Sequence, residues 1–481
     1  MMGLASTPKP IVTSHPVAHW MDTPFADLCH ALKYLIARVT VLRHHLRQMA
    51  KSHKREDAMK VLWFHLMPYQ DLPADFKDKH NSVWVDIDPG LFDPLRGHQH
   101  YHEYMDQLEY AAKAGFHGIC VNEHHSNAYG MMPSPNLIAA TLARNTRDAA
   151  LCVLGNSVAL YNPPTRVAEE MAMLDCISGG RLIAGFPVGT PMDTCYAYGQ
   201  NPAKLRDRYY EGIDLVLKAW AADKPFAFNG RYTQQRYVNC WPRPVQKQPP
   251  VWIPGGGSVE TWQMCAERSF VYANLSYFGH QASMTHVKGF WGEMKRLGKE
   301  PNPFQAAFLQ FVGVAETRAE AEKLYHEPAN YFYNRCLHTD PAYANPPGYT
   351  SEATVRARIT SQVLRAAEES RKATRAGGGA KFFEEGHVVI GSPDEVAEKL
   401  LTVCKEMHVG HLLLLLHFGN MSRDLTKYNT DLFATKVLPQ IKHLYEKEWE
   451  DHWWPTGMPK NPSKNAAHAK STFTTAGVAA Q

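Results

Sequence analysis

The amino-acid sequence predicts an α/β protein, a (β/α)8 TIM barrel with long insertions in its loops and extensions at both termini. From Val61 onward, short apolar runs typical of buried strands alternate with stretches of helical periodicity. Successive strand–helix–strand units favour a parallel sheet, and eight of them can close a barrel. The eight apolar runs lie at residues 61–67, 117–122, 150–160, 181–187, 251–254, 270–276, 306–315 and 411–417.

Two of the helices between the strands have the clearest sequence signals. The first repeats apolar residues from Val167 to Ile177, begins after Pro163-Pro164 and ends at Gly179-Gly180. Proline at the start of a helix and glycine after its end are the expected order of helix signals. The second helix carries the same apolar spacing from Leu205 to Trp220.

The barrel is expected to occupy residues 59–446, which exceeds the roughly 250 residues typical of this fold. The surplus falls in three insertions, at 69–98, 222–249 and 328–388. Long loops after barrel strands are usually lids or binding loops, so the first and third insertions are expected to cover the site and to line it. Their aromatic residues indicate an apolar or aromatic substrate: Trp84, Phe92, Phe332 and Tyr333.

The two ends of the chain differ from the barrel in composition. Residues 1–58 carry a basic amphipathic pattern and are interpreted as a helical extension that the fold does not need. Binding of a membrane surface is the alternative for this extension. Residues 447–481 are expected to form a disordered tail, since residues 455–481 are rich in Ala, Thr, Lys and Pro.

Composition narrows the class of protein. The formal net charge is only +4 and the basic residues are scattered, which gives no support for nucleic acid as a partner. Nine cysteines without a Cys-x-x-Cys pair argue against a zinc ribbon and a disulfide framework. No apolar run reaches the roughly 18 residues of a membrane span. We therefore expect a cytoplasmic protein that does not insert into membranes.

The most informative motif is Glu123-His124-His125, which follows the second apolar run. The carboxyl ends of parallel barrel strands are where ligands bind and chemistry takes place. Histidine titrates near neutral pH and can both give and take a proton. His65 and His417 end the first and last runs and could join the same rim, either as catalytic groups or as hydrogen-bonded wall residues.

Several stretches together resemble the bacterial luciferase-like family of flavin-dependent monooxygenases. Their order and spacing cover roughly residues 60–446. The stretches are Trp63–Tyr69 (WFHLMPY), Glu123-His124-His125, Gly155–Pro164 (GNSVALYNPP), Ser178–Leu182 (SGGRL), Trp241–Gln246 (WPRPVQ), Val251–Ser258 (VWIPGGGS) and Gly391–Glu395 (GSPDE).

The resemblance implies a reduced flavin at the carboxyl end of the barrel that reacts with O2 to form a flavin hydroperoxide, which oxygenates an organic substrate. His124 matches the catalytic histidine of the family. His125 and Glu123 would orient it, and His65 completes the expected catalytic set. Because no Gly-x-Gly-x-x-Gly opens a βαβ unit, reduced FMN is expected from a separate reductase. Family members commonly pair, which implies a homodimer or a larger homo-oligomer.

The resemblance also implies the residues that bind flavin. They are Asn156, Ser157 and Val158 after the third strand; Pro187, Val188 and Gly189 after the fourth; and Gly255, Gly256, Gly257 and Ser258 after the fifth. Glycines and the start of a helix favour an anion such as phosphate. Val188 stands where the family often has a phosphate-binding arginine, so Arg206 and Arg208 are the candidate substitutes.

Three alternatives remain open from the sequence. Related proteins on the same fold use a deazaflavin for hydride transfer without O2, although no basic cluster suited to its acidic tail is visible. A relative that only binds or stores flavin would have no need of water-excluding lids. A metal-dependent hydrolase could use the same acid and histidines, but the His-x-His pattern of such barrels is absent from the first strand.

Overall fold

The computed structural model describes residues 58–275, 277–360 and 381–455. Within them, eight parallel strands close a barrel in chain order, each barrel strand pairing with the next one and the last pairing with the first. The strands are β1 Lys60–Phe64, β2 Gly118–Val121, β3 Ala150–Val153, β4 Leu182–Gly185, β7 Val251–Gly255, β8 Val271–Asn274, β9 Ala306–Val314 and β11 His411–Leu415. Each lies within or overlaps one predicted run, so the predicted fold is confirmed.

The barrel strands are nearly continuous apolar segments because helices cover their outer faces and packed side chains fill the interior. The longer helices are Pro94–Ala114, Pro135–Asn145, Thr165–Ser178, Pro202–Ala221, Val259–Arg268, Gly279–Arg296, Arg318–Tyr331, Glu352–Thr360, Pro393–Met407 and Arg423–Leu432. Shorter helices are Phe76–Lys79, Pro341–Ala344, Lys381–Glu384 and Leu438–Ile441. Gly179 ends the Thr165–Ser178 helix at a positive φ of 72°, which explains the glycine there.

Two strand pairings were not predicted, one in a separate two-stranded sheet and one in the barrel sheet. The insertion 222–249 contains an antiparallel hairpin, β5 Phe226–Asn229 and β6 Gln234–Val238. The second feature is β10 Val388–Gly391, which pairs with the last part of β9. Since β9 is long, its first part pairs with β8 and its last part with β10. The predicted insertion 328–388 therefore ends at the first residue of a strand of the sheet.

The first and third insertions interlock above the carboxyl end of the barrel. Ser82 and Thr339 form a β-bridge. The backbone N–H of Val83 donates to His338 O at 2.8 Å, and that of Asp340 donates to Asn81 O at 3.0 Å. We call these paired segments, 81–85 and 338–340, the cap. They join two insertions that the sequence places more than two hundred residues apart.

The predicted disordered tail is wrong for residues 447–455. Trp453 Nε1 donates to Ser269 O at 2.7 Å, and Asp451 Oδ2 lies 2.9 Å from His411 Nε2. These contacts lie at the amino-terminal end of the barrel. They remove apolar indole surface from water, which is favourable even in a polar segment. Residues 456–481, and the extension 1–58 except its last residue, lie outside the described residues. No helix among the described residues has the length and apolar character that crossing a membrane requires.

Candidate functional site

A cavity of about 360 Å³ opens at the carboxyl ends of β2, β3, β4, β7 and β8. This is the size and position of a ligand site in such barrels. Its wall combines apolar residues with a few polar groups: Asn122, Glu123, His124, Leu154, Gly155, Pro187, Val188, Gly189, Thr190, Pro191, Met192, Arg206, Pro254, Gly255, Gly256, Ser258, Thr261, Leu275, Tyr277, Tyr349, Thr350, Ser351 and Thr354.

His124 lines the cavity and is held by a carboxylate that the sequence analysis missed. Its Nδ1 lies 2.8 Å from Asp193 Oδ2. Burial by itself would raise the pKa of Asp193, but the His124 ring and the hydrogen bonds from His124, the His125 backbone and Thr190 lower it below the ordinary value. Asp193 is therefore ionised at neutral pH and accepts a proton-bearing Nδ1. The second ring nitrogen, Nε2, is left for a ligand.

Asp193 also fixes the loop that carries the two histidines. Its Oδ1 accepts hydrogen bonds from the His125 backbone N–H at 2.9 Å and from Asn127 Nδ2 at 3.0 Å. The Thr190 hydroxyl donates to Oδ2 at 2.8 Å. The only signal in the sequence was an acidic residue close behind Gly189, in the loop after the fourth strand.

Glu123 lines the cavity but its carboxylate is used inside the protein. Oε2 accepts the Ser157 backbone N–H at 2.7 Å, and Oε1 accepts the Tyr161 hydroxyl at 2.8 Å. His125 Nε2 lies 3.0 Å from the same Oε1. Glu123 thus joins the loop after β2 to the loop after β3. His125 is not in the cavity wall, so of the two histidines it is His124 that lines the cavity.

The predicted flavin-binding residues divide into two groups. Pro187, Val188, Gly189, Gly255, Gly256 and Ser258 line the cavity as expected. Asn156, Ser157, Val158 and Gly257 do not. The positions after β3 that reach the cavity are Leu154 and Gly155.

Asn156, Ser157 and Val158 turn into the protein and do not line the cavity, so their contact with flavin stays a prediction. Asn156 is bonded to Asn136, and the Ser157 hydroxyl donates to Val188 O at 2.8 Å. Val158 begins a 3₁₀ turn and is fully buried. Gly257 likewise faces inward, since a Cβ there would lie 2.5 Å from His286 Cδ2.

Two buried polar atoms of the cavity wall have no hydrogen-bond partner among the described residues. One is Nη1 of Arg206, a donor that carries positive charge, and the other is Oδ1 of Asn122, an acceptor. Buried polar groups are normally paired, so each marks a place for a ligand atom of opposite character. Arg208, the other candidate cation, lies over the Tyr232 ring and outside the cavity wall.

A segment of the third insertion, residues 349–354, crosses the cavity; we call it the strap. The Tyr349 hydroxyl donates to Gly189 O at 2.6 Å. At the other side, Thr354 Oγ1 donates to Glu260 Oε2 at 2.9 Å. Hydrogen bonds from Ser351, Ser258 and Thr354 outweigh the effect of burial and lower the pKa of Glu260. The strap therefore bridges the loops after β4 and β7.

His65, expected in the catalytic set, is not among the residues that line the cavity. The Met67 backbone N–H donates to Nδ1 at 2.8 Å, and Nε2 lies 3.0 Å from Gln107 Oε1. The neutral form of the His65 ring can therefore make both hydrogen bonds. His65 stacks on His417, with 4.7 Å between ring centroids. Both histidines are buried outside the cavity wall. No group of three or more potential metal ligands occurs in the part of the chain that the structure describes.

Three buried histidines make the fold sensitive to acid. Burial lowers the pKa of His417 to about 3 and that of His387 to about 4. Burial and the nearby His417 lower the pKa of His65 well below its ordinary value. The unfolded chain, with histidine pKa values near 6.5, binds more protons in this range. The free energy of unfolding is therefore independent of these histidines' titration above about pH 6.5. Below that pH it decreases, by up to about 1.4 kcal/mol per pH unit for each histidine.

Urea unfolding at pH 7 and pH 5 measures this effect. We expect a clearly lower midpoint at pH 5 and a smaller pH dependence in His417→Gln. The exposed His98 provides a matched control, because His98→Gln should leave the pH dependence as it is. Equal midpoints at both pH values would contradict the assignment of neutral buried histidines.

Comparison with known families matches residues 82–409, more than half of the chain, to the model described as luciferase-like monooxygenase. An uncharacterized protein of Sinorhizobium fredii is 25% identical over 367 residues, covering 73% of this chain and 96% of that protein. The oxygenase component of the flavin-dependent trigonelline monooxygenase of Acinetobacter baylyi is 31% identical over 163 residues, covering 32% of this chain and 43% of that protein.

Solved structures share the fold at low sequence identity. The oxygenating constituent of 3,6-diketocamphane monooxygenase from Pseudomonas putida, in complex with FMN, matches with a TM-score of 0.60 and 18% identity over 80% of this chain and 99% of that chain. An F420-dependent secondary alcohol dehydrogenase matches with a TM-score of 0.55 and 15% identity over 80% of this chain and 99% of that one. These likenesses confirm the barrel fold.

Proposed function

The chain belongs to the luciferase-like monooxygenase family, a family of oxidoreductases, and from this premise we propose that it oxygenates a small organic substrate with O2 and reduced FMN. A separate flavin reductase would supply the reduced FMN. The name of the Acinetobacter relative, an oxygenase component, supports a two-component system. A homodimer in solution remains a prediction that a mass measurement tests.

The observation that carries the proposal is the pair of unpartnered atoms in the cavity wall. Arg206 Nη1 would meet the phosphate of FMN, and Asn122 Oδ1 would accept an N–H of the flavin ring. Gly256 leaves open space beside its Cα, so backbone could approach the same phosphate at the start of the Val259–Arg268 helix. The residues present therefore fit FMN.

Reduced FMN supplies the electrons that activate O2 for transfer of one oxygen atom to the substrate. The protein itself must exclude water and handle the proton. The strap and the apolar wall exclude water, which prevents loss of reducing power as hydrogen peroxide. His124 holds or moves a proton at Nε2, and Asp193 keeps Nδ1 protonated so that Nε2 faces the reacting atoms.

Anaerobic titration of the purified protein with reduced FMN tests the cofactor assignment. We expect one FMN per chain, with weaker binding of reduced riboflavin because it lacks the phosphate that Arg206 would hold. A deazaflavin with its acidic tail serves as the comparison. Preference for the deazaflavin would replace the proposal by hydride transfer without O2.

Asp193→Asn is expected to retain FMN but to lower the yield of oxygenated product per O2 about tenfold to a hundredfold, within the range for one positioned proton-transfer group. Asparagine can accept a hydrogen bond at the same place but carries no charge, so the pH dependence of the yield should also change. Thr190→Val, which removes one hydrogen bond to Asp193, is the milder control. An unchanged pH profile in Asp193→Asn would show that the carboxylate only supports the loop.

A further inference from the structure

Two exposed histidines lie one turn apart on the first long helix of the barrel, Pro94–Ala114. They are His98 and His102, and their rings are in contact, with 4.7 Å between the centroids and 63° between the planes. Residues four apart in a helix share one face. Neither imidazole forms a hydrogen bond or an ion pair with another residue in the described ranges. Both rings are therefore open to a ligand from solvent.

The helix holds the two histidines at this spacing before any ligand binds. Its first turn is fixed by Asp93, whose Oδ1 accepts the Leu95 backbone N–H at 2.8 Å. Its buried face is attached to the loop after β1, because the Tyr104 hydroxyl donates to Pro68 O at 2.6 Å. A fixed backbone reduces the entropy that is lost when two side chains bind one ion.

Two imidazoles one helical turn apart are a ligand arrangement for divalent transition-metal ions. Zn²⁺, Ni²⁺ and Cu²⁺ bind neutral imidazole nitrogen, whereas Mg²⁺ and Ca²⁺ prefer oxygen ligands. Because a Zn–N bond is about 2.0–2.1 Å long, the two coordinating nitrogens of a tetrahedral site lie about 3.3 Å apart. Exposed rings that already touch can reach this separation by rotating their side chains, without displacing the packed core.

The charges near His98 and His102 do not oppose a cation. The guanidinium of Arg96 is neutralised by Asp71, with 2.9 Å between Nε and Oδ2. Asp106, one turn beyond His102, is paired with Arg423 at 3.3 Å and is therefore not a third ligand. This agrees with the absence of any group of three potential metal ligands from the described part of the chain. The site would have two protein ligands, and water would complete the coordination.

We propose that His98 and His102 together chelate one divalent metal ion of the zinc, nickel and copper class at the surface of the barrel. The site does not depend on the proposed function, since neither histidine lines the cavity. A bound ion would join two successive turns of the Pro94–Ala114 helix. Because the unfolded chain does not hold the two rings at this spacing, the ion would stabilise the folded protein.

Equilibrium dialysis of the untagged full-length protein against Zn²⁺ tests the proposal. The chain has 25 histidines, so the result is read from the difference between variants. His98→Gln and His102→Gln should each bind one Zn²⁺ fewer than the wild type, and the double variant should lose no more than either single variant. The ring that remains should bind Zn²⁺ on the order of a hundredfold more weakly, because it has lost a second ligand at high effective concentration.

His326→Gln is the matched control, because His326 is exposed on the Arg318–Tyr331 helix without a second histidine one turn away. This variant should bind as much Zn²⁺ as the wild type, and an excess of Mg²⁺ should not displace the ion. A loss in the double variant equal to the sum of the two single losses would show two independent contacts and overturn the chelate. Unchanged binding in all variants, an equal loss in His326→Gln, or displacement by Mg²⁺ would overturn it as well.

Discussion

Replacing His124 with alanine is expected to convert the oxygenase into an oxidase. Reduced FMN and O2 are still consumed, but hydrogen peroxide replaces the oxygenated product. The variant should retain FMN, because the proposed FMN contacts of Arg206 and Asn122 are untouched, and it loses the only imidazole in the cavity wall among the described residues. General acid–base groups contribute about 10²–10⁴ in rate, so product per O2 should fall by a factor in that range. The measurement is the ratio of product to peroxide with any substrate that the wild type oxygenates.

His125→Gln is the matched control for His124→Ala. Its side chain binds Glu123 and lies outside the cavity wall, and glutamine can still donate a hydrogen bond to that carboxylate. The variant should lose some stability but keep the product ratio close to that of the wild type. If His125→Gln abolished oxygenation and His124→Ala did not, the roles assigned to the two histidines would be reversed.

The second large effect is expected from Arg206→Ala. A hydrogen bond to a charged group contributes about 1.5–3 kcal/mol, so FMN should bind roughly tenfold to 150-fold more weakly. Reduced riboflavin, which lacks the phosphate, should bind the variant and the wild type equally. This selective loss distinguishes a phosphate contact from general damage to the cavity.

Arg208→Ala provides the control for Arg206→Ala, since Arg208 lies two positions away on the same helix but faces the Tyr232 ring. Its FMN affinity should equal that of the wild type. If Arg208→Ala weakened FMN and Arg206→Ala did not, the phosphate would lie elsewhere, and the assignment of the unpartnered Nη1 would be wrong.

The barrel was predictable from sequence because its strands are buried on both faces. A run such as His411–Leu415 is apolar at nearly every position, and that signal does not depend on distant residues. Val388–Gly391 is equally apolar and as short as four of the barrel strands, but it follows directly on an insertion, where nothing local indicates that it pairs with β9. Trp453 has a defined position because it contacts Ser269. This contact exists only in the folded chain, so the sequence did not predict it.

The position of a site residue could be predicted from the sequence where it depends only on where a strand ends. Glu123 and His124 reach the cavity because β2 ends at Val121. Asp193 was missed, since its pairing with His124 joins loops after β2 and β4 that only the closed barrel brings together. The predicted residues after β3 do not line the cavity because Gly155 allows a close turn: a Cβ there would lie 2.2 Å from Glu123 N. That approach directs Leu154 and Gly155 to the cavity and the next residues inward.

The most direct test of the central claim is a rapid-mixing experiment. The protein is loaded with reduced FMN in the absence of O2 and is then mixed with oxygenated buffer. O2 and the absorbance of oxidised flavin are followed together. If the cavity protects the reaction from water, O2 disappears well before oxidised flavin returns, and the delay shortens in His124→Ala. If oxidised flavin returned as fast as O2 was consumed, at the rate of free reduced FMN, the protein would not be a monooxygenase of this kind.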